Sequence, residues 1–235
     1  MFFASLLQKS YTCSMPLSDL SASIQNYLKV IWSLSECSGE PATTTLIAQR
    51  TGNRLSSVSD ALKRLDAAGL LVHRPYQPVE LTDRGRQYAI EMIRRHRLIE
   101  TFLVETLGYE WDEVHDEAEE LEHAVSALMI QRIDAHLNYP RRDPHGDPIP
   151  TAEGTLPATI PRALSGVLHD SGDEKKHLII ERISDRDPGI LRLFDRLELA
   201  PATELVLDKG SLYRADGTEI SLDMQSIEAI FVHEI

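Results

Sequence analysis

The chain has 235 residues, 42% hydrophobic and 26% charged, enough for two small domains or one large one. No apolar run approaches the length of a membrane span, so no membrane partner is expected. A net charge of −13 excludes indiscriminate nucleic-acid binding, because phosphate contacts need local positive potential. The charge is uneven, however: from Arg50 to Arg97 ten Arg and Lys face five acids. That asymmetry fits one nucleic-acid-binding module joined to a part that holds cations. The only cysteines, Cys13 and Cys37, cannot build a disulfide framework and suit a reducing cytoplasm.

In chain order, the opening "MFFASLLQKSYTCSMP" lacks a basic first region and a long hydrophobic core. It reads as a disordered extension over residues 1–20, upstream of a start at Met15. Ile24, Tyr27, Leu28, Ile31 and Leu34 then recur at helical spacing, with Ser21 or Ser23 as N-cap. "TTTLIAQRTGN" predicts a short Thr-capped helix ended by Gly52. "SSVSDALKRLDAAGL" predicts a second helix, capped by Ser56 and ended by Gly69. "LLVHR" and "VELT" alternate around "PYQP" as a hairpin, after which Thr82 or Asp83 caps a new helix. Helix-turn-helix followed by a hairpin is the winged-helix arrangement, which points to DNA.

Residues 84–107 continue as a helix, Gly108 breaks it, and one further helix is expected from Asp112 to Leu137. Its buried stripe is Val114, Ala118, Leu121, Val125, Leu128, Met129 and Ile133. Two long helices with generous apolar faces predict dimerisation. "NYPRRDPHGDPIPTAEGTLPATIP" reads as a Pro-rich linker or tether. Beyond it, "ALSGVLHD", "KKHLIIERI", "TELVLDKG", "SLYRA", "EISLD" and "IEAIFVHEI" read as short strands, interrupted by the helix "DPGILRLFDRLEL". That pattern predicts a small barrel.

"HDEAEELEH" packs five carboxylates and two histidines into nine residues. A charged run on a helix is most often a solvated face. Here His115, Glu119, Glu122 and His123 share one side, and His96 and Glu100 lie four apart on the preceding helix. If the two helices pack antiparallel, His96 and Glu100 join His115, and Glu119, Glu122 and His123 form a neighbouring set. Carboxylates gathered this closely repel unless a cation intervenes. With no thiolate in reach, the donors favour Mn²⁺ over zinc held by cysteine, while Fe²⁺, Co²⁺ or Zn²⁺ can also bind in vitro.

"NYLKVIWSL", "SSVSDALKRLDAAGLL", "VELTDRGR", "RRHRLIETFL", "HDEAEELEH" and "DPHGDPIP", in that order, resemble the metal-dependent transcriptional repressors typified by the diphtheria toxin repressor, especially the manganese transport regulator branch. The resemblance spans Leu20 to Ile235. Where the iron-sensing branch has a cysteine, this chain has Glu119, as the manganese-sensing branch does. The resemblance implies a mainly α protein with a small β domain, in four parts after residue 20. A winged helix-turn-helix domain spans 21–90 and a helical dimerisation and metal-binding domain 91–138. A Pro-rich linker spans 139–161, and an SH3-like β-barrel 162–235.

The resemblance also implies two metal sites per subunit. Glu119, Glu122 and His123 match primary ligands, and His96, Glu100 and His115 ancillary ones. Asn26 stands where manganese sensors commonly have Asp, and its neutral amide should bind more weakly. In relatives with a C-terminal barrel that domain can also supply ancillary donors, for which Glu181 and Asp185 are the candidates here. Ser56 to Asp66 match the recognition helix, placing Arg54, Ser56, Ser57, Ser59 and Lys63 at the major groove or its phosphates. Thr44 and Thr45 should touch phosphates, and Arg74 and Tyr76 sit in the wing. The resulting expectation is a homodimeric, manganese-dependent, cytoplasmic repressor of metal-uptake genes that binds double-stranded operator DNA. An iron-dependent repressor of the same family is the alternative. Two rivals are a di-metal carboxylate enzyme, for which Glu120 and His123 supply one Glu-x-x-His motif with no second copy on the predicted helices, and a regulator sensing an organic ligand.

Overall fold

The structure is a computed structural model that describes residues 16–37, 39–156, 161–170 and 174–235. It divides into two compact units, one ending at Tyr88 and one running from Ala89 to Ile235. The expected start at Met15 and most of the expected disordered extension lie outside the described residues. Residues 16–20 correct the end of that extension. Leu17 and Leu20 are buried, and Gln25 Nε2 donates to both of their carbonyls.

In the first unit, α1 (Ala22–Trp32) starts at Ser21, whose Oγ accepts from Ile24 N, and buries Leu28 and Ile31 completely. It ends in a π-helical turn, Ser33–Cys37. Thr43 caps α2 (Thr44–Thr51), and Gly52 in the left-handed region turns the chain into α3 (Leu55–Ala67). Val58, Ala61, Leu62 and Leu65 are the buried stripe of α3. Ser56 is not its cap. Arg54 holds that position without a side-chain bond, and Ser56 lies inside the first turn. Strands β1 (Leu71–Val72) and β2 (Glu80–Leu81) pair antiparallel as the hairpin. Thr82 Oγ1 then accepts from Gly85 N to start α4 (Asp83–Phe102). A Cβ at Gly85 would sit 1.8 Å from Leu70 O, so only glycine lets α4 pass the hairpin this closely.

The division between units falls inside α4, whose later turns carry His96 and Glu100. A second π-helical turn, Leu103–Leu107, closes that helix before Gly108. The single helix expected from Asp112 to Leu137 is two: α5 (Val114–Leu121) and α6 (Ala127–His136). Ser126 Oγ accepts from Met129 N and so starts a new helix where a continuous one would need its carbonyl ladder unbroken. The break resets the helical phase. Val114, Ala118 and Ile133 are buried as expected, but Ile130 takes the inner position while Leu128 and Met129 are 61% and 48% exposed.

The Pro-rich segment is no free tether. Arg97 Nη1 donates to Pro148 O, Arg97 Nη2 reaches Asp147 Oδ1, and Ile183 N donates to His145 O. Asp143, His145, Asp147 and Ile149 are buried within it. A Cβ at Gly146 would lie 2.1 Å from Glu181 O, so the segment runs directly against the next long strand.

The remaining strands are β3 (Arg162–Ala163), β4 (Lys176–Ile183), β5 (Glu204–Asp208), β6 (Ser211–Arg214), β7 (Glu219–Ile220) and β8 (Ile230–Glu234). They pair in the order β3-β8-β4-β5-β6-β7, each pair antiparallel. Among the described residues the sheet stays open. Its edge strands have two residues each, too short to tilt and pair around a closed barrel. "ALSGVLHD" is not a strand: it forms the helix α7 (Leu164–Asp170), which buries Leu164 and Val167 against the sheet core. α8 (Pro188–Arg196) is the expected helix, and α9 (Met224–Glu228) precedes β8.

Candidate metal centre and nucleic-acid face

Three groups of donors converge in the second unit. In the first, α4 supplies His96 and Glu100 one turn apart, α5 supplies His115, and the chain just beyond β4 supplies Asp185. Glu100 Oε1 lies 2.9 Å from His96 Nε2 and 3.3 Å from His115 Nδ1. His115 Nδ1 is 3.0 Å from Asp185 Oδ2. The second group joins His96 to Glu119 and Glu122, with His96 Nδ1 2.7 Å from Glu122 Oε2 and 4.0 Å from Glu119 Oε1. His96 thus offers one ring nitrogen to each group. Helical spacing explains part of the arrangement, since residues three or four apart share a face: His96 with Glu100 on α4, and His115 with Glu119 on α5.

The third group is Glu100, Asp143 and His145, all buried. Asp143 and His145 were missed in the sequence because "DPHGDPIP" reads as linker. The available signal was an Asp and a His two apart between prolines. Asp143 Oδ1 accepts from the backbone N–H of His145 and Asp147, which fixes the turn. His145 Nε2 lies 2.7 Å from Trp111 O, a carbonyl that can only accept. The proton therefore sits on Nε2, and in the neutral ring Nδ1 is a bare lone pair. That atom is buried without a hydrogen-bond partner, 3.9 Å from Glu100 Oε2.

The electrostatics divide the carboxylates, with Asp143 short of positive charge and Glu100 and Asp185 supplied by neighbouring histidines. Burial, then repulsion from Asp147 and Glu100, raises the Asp143 carboxyl well above its ordinary range against the pull of Arg97. Burial would raise Glu100 too, but the His96 charge and hydrogen bonds to His115 and His96 bring it down to about 2. Burial would lower His115, yet its hydrogen bonds to Asp185 and Glu100 hold it at about 11. Asp185 is pulled below its ordinary range: burial opposes this, and His115 outweighs it. Carboxylates and imidazoles with no sulfur donor form a set fitted to a divalent ion.

The other expected ligands lie elsewhere. His123 sits past the end of α5, its Nε2 3.6 Å from Glu122 Oε1, and is outside the three groups. Glu181 is not drawn in: it pairs with Arg142, and its Oε1 lies 2.7 Å from His233 Nδ1. Asn26 belongs to the first unit, on α1, with its Oδ1 buried and without a hydrogen-bond partner.

On the first unit, Thr44 and Thr45 open α2 just after its cap, where backbone N–H groups face outward. Arg54, Ser56, Ser57 and Lys63 are exposed, and Ser59 is half-buried. Lys63 also pairs with Asp60 at 3.4 Å. Arg74 is exposed in the hairpin, and Tyr76, with φ 62°, stands fully in solvent at its tip.

Two family models match the chain. "Iron dependent repressor, N-terminal DNA binding domain" matches residues 19–79, and "Iron dependent repressor, metal binding and dimerisation domain" matches 82–151. The iron-dependent repressor IdeR of Mycobacterium leprae is 37% identical over 134 residues. That alignment takes in 57% of this chain and 58% of the relative, so the chain spans under two thirds of that relative's length. Among solved structures, a manganese-dependent transcriptional repressor in complex with manganese is 42% identical with TM-score 0.81, over 90% of this chain and all of that one. The manganese regulator SloR is 30% identical with TM-score 0.73, over 90% of this chain and 98% of that one.

Proposed function

The chain belongs to the iron-dependent repressor family, and we propose that it is a homodimeric, Mn²⁺-activated repressor that binds double-stranded operator DNA of metal-uptake genes. One observation carries the reading. Oxygen and nitrogen donors from α4, α5, the Pro-rich segment and the chain after β4 meet in three groups that share His96 and Glu100, on a chain that also has an exposed winged helix. The family and the matched relatives are repressors, which leaves no support for the di-metal enzyme.

In this reading Glu100, His115, Asp185, Asp143 and His145 hold one ion, and His96, Glu119 and Glu122 hold a second. The bound cation supplies the positive charge that the crowded carboxylates lack. His115 gives up its proton and Asp143 ionises as the site fills. His123 and Asn26 are proposed as further donors, and Arg54, Ser56, Ser57, Ser59, Lys63, Thr44, Thr45, Arg74 and Tyr76 as the DNA-facing set. The absence of any thiolate among the donors favours manganese over the iron of the mycobacterial relative. The exposed Leu107, Leu128 and Met129 suit burial against a second copy. An operator-binding protein works where the DNA is, so the cytoplasm belongs to the reading.

The test is operator binding titrated anaerobically with Mn²⁺, Fe²⁺ and Zn²⁺. Tightening by Mn²⁺ at concentrations where Fe²⁺ has little effect supports the proposal. Tightening by Fe²⁺ first assigns the iron alternative, and full binding in chelator points to an organic-ligand sensor.

A further inference from the structure

The donor group Glu100–Asp143–His145 is closed to solvent, with relative exposures of 1%, 8% and 0%. An ion must nonetheless reach it. Beside it lies an open cavity of about 390 Å³ whose walls include Glu105, Trp111, Asp143, Asp195, Glu198 and Ala200. Two of these belong to the donor group's surroundings. Asp143 is itself a donor, and Trp111 stacks on the His145 ring with centroids 5.9 Å apart. Behind this inner wall lies the buried His145 Nδ1, without a hydrogen-bond partner among the described residues. The outer rim adds carboxylates from three elements: the π-helical turn after α4, α8, and the chain that follows α8.

We infer that this cavity is a loading vestibule for hydrated divalent cations, and that Glu105 and Asp195 concentrate the ion at its mouth before Asp143 takes it inward. The inference rests on the metal-sensor reading above. Glu198 contributes less, because Arg214 already pairs with it. Glu105 and Asp195 have exposed side chains and are engaged in no ion pair among the described residues, so their field extends into the mouth. A cleft lined by one sign of charge focuses field lines and raises local counter-ion concentration, which speeds association without adding a ligand. The rival path is the half-exposed His115 edge of the first donor group.

Trp111 supplies the readout, since paramagnetic Mn²⁺ arriving beside His145 quenches it, and Trp32→Phe removes the other tryptophan. In stopped-flow mixing of that full-length protein with Mn²⁺ alone, Glu105→Gln with Asp195→Asn slows association about three- to tenfold at low salt. The difference shrinks at high salt as the charges are screened. Glu219→Gln, the same change of charge on β7, leaves the rate alone. Ala200→Phe, which narrows the cavity without adding a tryptophan, slows association and dissociation together and leaves equilibrium affinity unchanged. Unaltered rates in both variants overturn the vestibule and assign loading to the His115 edge. Faster Mn²⁺ dissociation from the Glu105→Gln, Asp195→Asn protein would make the rim residues ligands and overturn it as well. No Mn²⁺ binding at equilibrium by the unsubstituted chain, measured by dye competition, defeats the metal-sensor reading itself.

Discussion

Under the proposed function, His115 and Glu100 link the metal response to protons. The raised His115 stabilises the metal-free fold fully below its ordinary value of 6.5, and this contribution disappears as pH rises through about 11. Glu100, lowered from 4.5, stabilises above that value and loses its contribution as pH falls through about 2. At neutral pH His115 therefore carries a proton that must leave before its ring can ligate. Mn²⁺ binding should release protons into a weakly buffered solution, and affinity should fall as pH drops from 8 to 6. Proton-neutral binding measured with an indicator dye would contradict this assignment. Asp185→Asn should lower the His115 pKa, followed by NMR, and weaken Mn²⁺ binding about tenfold or more, as loss of a donor does. Asn26→Asp, which adds charge at an amide whose oxygen lacks a partner, should tighten Mn²⁺ binding; weaker binding by calorimetry would count against that residue's proposed role.

At the scale of elements, two short features set the donors in place. The Ser126 cap starts α6 and so lets α5 end beside His96; Ser126→Ala should cost about 1 kcal/mol in urea denaturation. Gly146, with φ 87° and no room for a Cβ, holds the Pro-rich segment against β4, so Gly146→Ala should lower Mn²⁺ affinity even where the fold survives by circular dichroism. Much of this was legible in the sequence. The periodicity of α1 to α4, the Thr43 and Thr82 caps and the hairpin all follow local rules, and i,i+4 spacing placed His96 with Glu100 and His115 with Glu119. The α5–α6 break was hidden because the apolar period persists through it, and only Ser126 marks it. Asp143 and His145 were hidden for a different reason. Their burial depends on β4, more than thirty residues downstream, and no local pattern reports such a contact. Glu181 was misplaced by one strand-end: it and Asp185 both lie near the end of β4, but Arg142 and His233 hold Glu181 away.

For the molecule as a whole, residues 1–88 carry nine Arg and Lys against seven acids and residues 89–235 carry 15 against 30, so the acid excess behind the net charge of −13 lies outside the proposed DNA-binding unit. Metal occupancy can raise operator affinity only by favouring DNA-competent states over others, so the sensor's differential affinity for those states bounds the gain. A tenfold gain corresponds to about 1.4 kcal/mol of coupling. Substituting Glu100→Gln removes a donor shared by two groups and should abolish the Mn²⁺ response while leaving weak, metal-independent DNA binding. Anomalous diffraction at the manganese edge from Mn²⁺-soaked crystals decides whether these donors hold manganese: a peak bounded by Glu100, Asp143, His145 and Asp185 and a second beside His96, Glu119 and Glu122 are expected, and a map with no peak within bonding distance of these side chains would refute the proposal.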